Sequence, residues 1–567
     1  MNKKLALLLT ASTTLTSFNA PIFAQRPVPN PNQDRLIPPS ELPEPLEPDV
    51  PPLQPQPSPT PPDFSEDTTP IQVEAIEISG ATVFEETDFT PLTEPLEGQT
   101  VTLGQLQQLV NQINQLYLEA GYLNSVAVLP NQDLGDGTIQ IQVFEGQLSN
   151  IEIEGLRRTQ PNYVLSRLKV GLDEDRPLQT QDLEDQLRLL RANPLFKQVN
   201  AYLRPLNEPG QTELVVEVEE ENVVTGNLFV DNYSPPSVGS IRYGADIAAR
   251  SLTGWGDVLR IGYSRSTTGG SRIGTFGYGF PVNAMEGTIN FNVVLDRNKI
   301  TQDPFEDFNI TGQSELYEVS FRQPLVRTPR EEFALSVGFS YKDGQTFVFD
   351  QPTPFGIGAE ADGTSTVSVF RLGQDYVSRD FSGAWALRSQ FNIGADILGA
   401  TTNESPIPDS RFFSWLGQVQ RVQQWHPDHF SSAQFDVQLS SDSLLPSEQF
   451  TIGGGRSVRG YRSNVRSGDN GARLSLEHRW ALARNGSGAP GVQVAPFFDL
   501  GWVWNEGGNP NTLARQRFIA GIGAGVLWSP VEDLLIRFDY GYPIVDLDDR
   551  GDDLTDDGLY FSVNYRF

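Results

Sequence analysis

The sequence predicts a mixed architecture, in which two small β-α-α-β-β domains precede a 16-stranded antiparallel β-barrel that spans a membrane. The first observation behind this prediction is an internal repeat, because two segments of the same plan follow each other at a spacing of about 75 residues. The second observation is a change of periodicity near residue 222, after which apolar and polar residues alternate with period two. Stacked modules are therefore expected first along the chain, followed by a closed sheet.

The N-terminal 24 residues are typical of a secretory signal peptide. Lys3 and Lys4 precede an apolar stretch, and small residues up to Ala24 suit a cleavage site. We therefore expect residues 1–24 to be removed and the mature chain to leave the cytoplasm. Residues 25–69 are rich in proline and acidic residues, which favours an extended spacer over a helix. A ligand-binding role for this spacer is the less favoured alternative.

Two repeated modules are predicted after the spacer, over residues 70–146 and 147–221. The first module opens with a strand at 73–80 and continues with a helix whose apolar residues share one face and which Gly121 ends. Two strands close this module. The second module opens with a strand at 151–155 and continues with two helices and two strands. Each module has its own apolar faces, so we expect two separate domains.

Residues 222–567 are predicted to form the barrel. In the final segment, apolar side chains alternate with Tyr560, Ser562, Asn564 and Arg566, as expected for a wall between lipid and a wet lumen. The even number of candidate strands allows antiparallel closure without an unpaired edge in lipid. The sixteen candidate strands begin near residues 222, 238, 254, 271, 286, 313, 330, 363, 381, 409, 430, 471, 489, 516, 531 and 558. A soluble β-sandwich or propeller would explain the alternation, but not the signal peptide and the aromatic outer face.

The composition argues against several classes of function. The 567 residues include no cysteine, which excludes disulfides and thiolate catalysis. The net charge of −31 argues against a nucleic-acid partner, and no Gly-x-x-x-x-Gly-Lys-Ser/Thr motif for a nucleotide is found. The three histidines lie in a turn (His426 and His429) and within a strand (His478), in no recognisable catalytic or zinc-binding motif. We therefore expect no enzyme activity, no catalytic residues, no metal and no cofactor.

A long connection, predicted over residues 442–470, joins candidate strands eleven and twelve. It contains Val458-Arg459-Gly460-Tyr461 beside several glycines and two further arginines. If this loop folds into the lumen, its cations need acidic partners on the wall. By strand alternation Asp499 faces the lumen, and so does Glu477 on the strand after the loop. Spacing alone leaves open whether Arg459 pairs with a carboxylate or lies in solvent.

Four features carry a resemblance to a known family over roughly 71–567: Val458-Arg459-Gly460-Tyr461, Phe498-Asp499-Leu500-Gly501, two repeats of the Ile-Glu-Ile-x-Gly type, and an aromatic strand ending at Phe567. In these features the chain resembles the two-partner-secretion transporters, the TpsB or haemolysin-activator members of the BamA-like outer-membrane superfamily. The resemblance implies two periplasmic POTRA domains, a 16-stranded barrel in the outer membrane, and a conserved loop inside the lumen. It also implies that Arg459 contacts Asp499, with Glu477 as a secondary candidate.

The function that this resemblance implies is the secretion of an unfolded TpsA-type exoprotein with β-helical repeats through a barrel set in outer-membrane lipid. An assembly factor of the same superfamily is the main alternative, since it shares the fold and the loop. An outer-membrane hydrolase would need an activated nucleophile, and a passive porin would not need the two modules. Well-known members begin with a helix that plugs the pore, whereas the prolines of residues 25–69 lead us to expect no such helix here.

Overall fold

The computed structural model describes residues 53–54, 70–132, 136–172, 176–206, 210–354 and 356–567. The predicted signal peptide lies outside the described residues. The predicted spacer also lies outside them, except for the short strand Leu53–Gln54, here β1. None of the described helices combines the length and the apolar character that crossing a bilayer requires.

The first module packs two helices against a three-stranded sheet of order β3-β6-β5, beside a ribbon of β2 and β4. Its elements are β2 (Pro70–Gln72), β3 (Ala75–Ser79), α1 (Glu86–Thr93), β4 (Thr100–Thr102), α2 (Leu103–Glu119), β5 (Val126–Val128) and β6 (Thr138–Phe144). Thr102 caps α2, because its hydroxyl accepts a hydrogen bond from the backbone N–H of Gln105. Apolar residues recur on one face of α2, and Ile113 and Tyr117 are fully buried against the sheet.

The second module repeats this plan with β7 (Gln147–Glu154), α3 (Pro161–Leu168), α4 (Thr180–Arg191), β8 (Phe196–Pro205) and β9 (Gln211–Glu220). Its sheet has the order β1-β8-β9-β7, in which β7 runs parallel and β8 antiparallel to β9. Pro161 occupies the first turn of α3, where its fixed φ suits a helix start and its missing N–H removes no bond. The core lies between this sheet and the apolar faces of α3 and α4.

Backbone hydrogen bonds join the two modules directly. The N–H of Leu178 donates to the carbonyl of Gly146 at 2.8 Å, and the N–H of Thr180 donates to the carbonyl of Gly121 at 3.0 Å. The predicted end of helix α2 at Gly121 is thus also a contact with the second module. These bonds use main-chain groups at the C-terminal ends of α2 and β6, so they fix the relative position of the modules with little dependence on side chains.

Sixteen antiparallel strands close the barrel, as the sequence predicted, and β10 pairs with β28 from Asn227–Arg566 to Asp231–Ser562. Each predicted strand start lies within four residues of the observed one. Three short strands, β17, β22 and β23, do not span the barrel. The strands are β10 (Val224–Asp231), β11 (Arg242–Arg250), β12 (Val258–Ser266), β13 (Ser271–Pro281), β14 (Thr288–Lys299), β15 (Thr311–Arg327), β16 (Glu331–Val348), β17 (Gln351–Pro352), β18 (Thr364–Asp380), β19 (Gly383–Ala395), β20 (Phe413–His426), β21 (His429–Ser440), β22 (Phe450–Ile452), β23 (Arg466–Gly468), β24 (Asn470–Arg484), β25 (Pro490–Trp504), β26 (Phe518–Val531), β27 (Leu534–Pro543) and β28 (Leu559–Arg566).

Alternation along the strands separates the two surfaces of the wall. In β27, the outward rings of Phe538, Tyr540 and Tyr542 are exposed, whereas Asp539 between them is buried on the lumen side. The two modules precede β10 in the chain. The barrel turns at the end where β10 begins therefore face the modules. The long connection between β21 and β24 starts from the opposite end.

Candidate functional site, a loop anchored inside the barrel

The connection between β21 and β24 folds back into the barrel. It begins with a 3₁₀ turn at Pro446–Glu448 and then forms the antiparallel pair β22–β23, which frames the tip of the loop. Apolar side chains of the loop pack against the inner wall, so the loop is held by burial as well as by polar contacts. This packed cluster, the loop cluster, consists of Leu416, Phe450, Ile452, Val458, Tyr461, Val503 and Ile519.

Arg459, at the tip of the loop, makes a two-point contact with Asp499 of β25. Its Nε donates to Oδ2 of Asp499 at 2.6 Å, and its Nη2 donates to Oδ1 at 2.9 Å. The backbone N–H of Arg459 adds a third bond to the same carboxylate at 3.1 Å. The guanidinium also lies over the ring of Phe497, 3.4 Å from its centroid. The side chains of Arg459 and Asp499 are 6% and 0% exposed, so the contact is buried and directional.

Glu477 of β24 extends this contact into a charge network. It accepts a bond from Nη1 of Arg459 at 2.7 Å, from Nε of Arg479 at 2.7 Å, and from Nη2 of Arg537 at 2.7 Å. Arg537 in turn donates from Nε to Asp539 at 2.7 Å. The three guanidinium groups thus meet the carboxylates of Glu477, Asp499 and Asp539. Equal numbers of opposite charges, closely bonded, offset the cost of taking these groups out of water.

The other residues of the Val458–Tyr461 motif fix the backbone of the tip. The N–H of Gly460 donates to the hydroxyl of Tyr560 at 2.8 Å, and that hydroxyl donates to the carbonyl of Tyr461 at 2.7 Å. The hydroxyl of Tyr461 lies 2.7 Å from the carbonyl of Ala520. Val458 is fully buried in the loop cluster. Gly460 has φ +105°, a conformation that favours glycine.

Several residues that hold the tip were not identified from the sequence as site residues. Tyr560 was placed only on the polar face of its strand, and Arg537 was not singled out. Tyr560 bonds the loop tip directly and Arg537 reaches it through Glu477, so both act across positions far apart in the chain. Gly521 of β26 was missed as well. A Cβ there would lie 1.9 Å from the carbonyl oxygen of Arg459, so only glycine allows the loop to approach the wall so closely. The sequence offered two signals of this contact, namely a bulky tyrosine at position 560 and a glycine at position 521, both on the lumen face.

The outer part of the loop contacts the last connection of the barrel, residues 544–558. Arg466 donates to both carboxylate oxygens of Asp549, at 2.9 and 2.7 Å. Arg462 lies 3.7 Å from the same carboxylate and 3.8 Å from that of Asp556. These pairs involve exposed carboxylates or longer distances, so we expect them to hold the loop less tightly than the contact at its tip.

Comparison with known proteins identifies the family. A model of the family "Haemolysin secretion/activation protein ShlB/FhaC/HecB" matches residues 210–527, more than half of the chain, and a model of the ShlB-type POTRA domain matches residues 71–146. The outer membrane transporter CdiB of Dickeya dadantii is 24% identical over 412 residues, which cover 71% of each chain.

Solved structures show the same fold. CdiB from Escherichia coli has a TM-score of 0.66 at 22% identity, covering 90% of this chain and 93% of that one. BamA from Haemophilus ducreyi, solved without POTRA domains 1–3, has a TM-score of 0.53 at 16% identity, covering 88% and 100% of the two chains. The chain belongs to the ShlB/FhaC/HecB family of haemolysin secretion/activation proteins, and it is an outer-membrane transporter of two-partner secretion whose POTRA domains lie in the periplasm.

Proposed function

We propose that the two modules, residues 70–146 and 147–221, capture an unfolded TpsA-type exoprotein with β-helical repeats and deliver it to the barrel of residues 222–567, whose aromatic outer face contacts outer-membrane lipid. The exoprotein binds as an extended strand at a sheet edge of the modules. The loop anchored by Arg459 forms part of the wall along which it passes. The chain acts as a conduit and carries out no catalytic step.

Strand addition is supported by the edge of the second module. β8 is ten residues long, and within the described residues only Ala201 and Tyr202 have a partner on its outer side, namely Leu53 and Gln54. An edge that already accepts a short extended segment in parallel can accept a longer one. Main-chain bonds supply most of the affinity in this mode, so the edge can bind different sequences from one long partner.

A single observation carries this proposal, namely the buried two-point contact of Arg459 with Asp499. This contact supports a positioning role for the anchored loop. The planar guanidinium fixes both the position and the orientation of the tip, which a point charge could not do. The tip occupies the lumen beside β24 to β27. Its position therefore determines how much of the lumen remains for the exoprotein.

No nucleotide-binding loop is found in the sequence, and the free energy for export must then come from another source. We propose that the exoprotein supplies it by folding outside the cell. A β-helical protein suits this role, because its repeats fold one after another as they emerge and each added repeat pulls the chain outward.

Photo-crosslinking tests the capture step. A photoreactive residue replaces Tyr202 on β8, and the control carries it at Asn150 on β7, the opposite edge of the same sheet. With the exoprotein co-expressed, we expect crosslinks from position 202 and few from position 150. Equal crosslinking from both edges, or none from position 202 while secretion continues, would contradict strand addition at β8.

Substitution of Arg459 tests the loop. Arg459→Ala and Arg459→Lys should both reduce secretion at least about ten-fold while the barrel still inserts, because neither side chain makes the two-point contact. Arg297→Ala, which removes an exposed pair with Glu315, is the matched control and should secrete normally. Normal secretion by Arg459→Ala would refute a role for the anchored tip. Secretion that is intact while other outer-membrane barrels fail to assemble would favour the assembly-factor alternative.

A further inference from the structure

The second module touches the barrel through one face of α3. The backbone N–H of Gln160, at the start of α3, donates to the carbonyl of Gly254 at 2.8 Å, in the turn between β11 and β12. The ring of Tyr163 lies against Gly256 of the same turn, where a Cβ would come within 2.4 Å of the ring. One end of a helix and one periplasmic turn are therefore in close contact, and there is no space for a larger residue between them.

A charged contact lies beside this apposition. Glu286, in the turn between β13 and β14, accepts a bond from Nε of Arg167 at 2.6 Å and from the hydroxyl of Tyr163 at 3.0 Å. Arg167 stacks on the ring of Tyr163, 3.4 Å from its centroid, and donates from Nη1 to the carbonyl of Tyr163 at 2.8 Å. Asn193 donates to the hydroxyl of Tyr163 at 3.0 Å, so this hydroxyl has bonds to both Glu286 and Asn193. We call Tyr163, Arg167 and Glu286 the docking contact.

The docking contact is largely shielded from water. The side chains of Arg167 and Glu286 are 7% and 20% exposed, and Tyr163 is buried. Burial alone would raise the pKa of Glu286, but the neighbouring Arg167 and Arg327 guanidinium groups hold this pKa below its usual range. Glu286 therefore remains charged at neutral pH. A buried pair of this kind is costly to break from one side, because the remaining charge would lie in a low-dielectric site without a partner.

The backbone of Glu286 is a second, independent observation. Its φ is +62°, in the left-handed region that non-glycine residues seldom adopt. A glycine follows at position 287, and Asn283 of the same turn accepts a bond from its N–H. The turn thus holds a long acidic side chain in a strained conformation, which is retained only where that side chain makes a compensating contact.

From these observations we propose that the docking contact of Tyr163, Arg167 and Glu286 is a latch that fixes the second POTRA module against the periplasmic end of the barrel and thereby orients the β8 edge toward the pore. The latch adds side-chain bonds to the main-chain bond that Gln160 makes with Gly254, whereas two main-chain bonds, Leu178 to Gly146 and Thr180 to Gly121, join the modules to each other. When the latch opens, the two modules can therefore move together relative to the barrel.

Distance measurements on the full-length chain test the latch without any exoprotein, so the result does not depend on the proposed capture step. The chain contains no cysteine, and spin labels can be placed at Gln181→Cys on α4 and Asp533→Cys in the turn between β26 and β27, both exposed. With the native latch we expect one narrow distance distribution. Glu286→Gln and Arg167→Gln should raise the undocked population at least about a hundred-fold and broaden the distribution, because each leaves a buried group unpaired.

Two further variants sharpen this experiment. Tyr163→Phe keeps the stacked ring and removes one bond to Glu286, so it should broaden the distribution less than Arg167→Gln. Glu219→Gln, which breaks an exposed pair with Lys197 in the same module, should leave the distribution unchanged. The change in electrophoretic migration on boiling verifies that each barrel is folded. A distribution as narrow in Glu286→Gln and Arg167→Gln as in the native chain, with folded barrels, would overturn the proposal.

Discussion

The two POTRA modules share the residues that build their fold and differ in the residues that face the barrel. Gly80 follows β3 in the first module and Gly155 follows β7 in the second, 75 positions later, with φ +82° and +88°. Glu145 and Glu220 are separated by the same interval, and each accepts bonds from backbone N–H groups just after the glycine of its module. In both modules these shared positions fix the turn between that strand and the first helix.

The positions that correspond to the docking contact are not shared. Counting back 75 residues from Tyr163 and Arg167 gives Asp88 and Leu92, which can make neither the stacked pair nor the bond to Glu286. In the first module, Asp88 instead bonds the backbone N–H of Glu85 and helps to cap α1. Repetition therefore accounts for the architecture of each module, and departures from it account for the position of the second module at the pore.

Removing both modules is the strongest way to break this comparison. A chain lacking residues 71–220 should retain a folded, membrane-inserted barrel, because the barrel closes through its own strands β10 and β28. Secretion should fall to background, since neither the strand-accepting edge nor the latch remains. The measurement compares exoprotein in the medium with the amount of heat-modifiable barrel in the outer membrane. Export at the native level by the truncated barrel would show that the modules are not the receptor.

Alanine at the shared glycines should have the next largest effect. In Gly80→Ala the new Cβ would lie 2.2 Å from the carbonyl oxygen of Val143, and in Gly155→Ala 2.1 Å from that of Val218. Both positions also require positive φ. We expect each change to destabilise its own module by about 2–4 kcal/mol, as measured by hydrogen exchange of the module's core amides. Gly98→Ala, with positive φ but nothing within 4 Å of its Cβ, isolates the conformational part of the cost. Equal losses at Gly80 and Gly98 would show that close contact contributes nothing.

The barrel was predictable because lipid and lumen impose opposite demands on alternate residues of every strand. The predicted starts of strands such as β13, at Ser271, needed only this alternation. The lumen position of Asp499 followed from the same rule, without any knowledge of its partner. Its contact with Arg459 depended on the family resemblance, since no local pattern specifies which acid a distant loop will meet.

Other contacts could not be predicted, because they join residues that are far apart in the chain and meet only in the folded protein. Arg167 and Glu286 are 119 residues apart, and nothing in either neighbourhood marks them as partners. The resemblance placed Arg459 inside the lumen but not the depth of its burial, which depends on how closely the loop approaches Gly521. The pairing of Leu53–Gln54 with β8 was missed as well, because proline-rich flanks argue against a strand.

The smallest expected effect distinguishes the two shared acids. Glu220 accepts bonds from the backbone of Arg158 and Thr159, and among the described residues no tyrosine bonds it. Glu145 accepts bonds from the backbone of Thr82 and Val83 and from the hydroxyls of Thr82 and Tyr117. Burial would raise the pKa of Glu145, but these bonds bring it below its usual range. A lowered pKa in the folded state means that the ionised carboxylate stabilises the module at neutral pH. This contribution is complete above the ordinary glutamate pKa and is lost as the pH falls through the lowered pKa of the folded state.

Glu145→Gln should therefore cost the first module about 1–2 kcal/mol at pH 7, because a charged acceptor is replaced by a neutral one. The difference between native and variant should shrink as the pH falls from the ordinary glutamate pKa through the lowered folded pKa, where the native carboxyl also becomes neutral. Hydrogen exchange of the α2 amides, corrected for the intrinsic pH dependence of exchange, measures both values. Glu220→Gln should cost the second module less, because that acid lacks the buried hydroxyl that Tyr117 supplies to Glu145. If Glu145→Gln costs the same at pH 7 and at a pH where the native carboxyl is neutral, then the shape of Glu145, and not its charge, supports the turn that the two modules share.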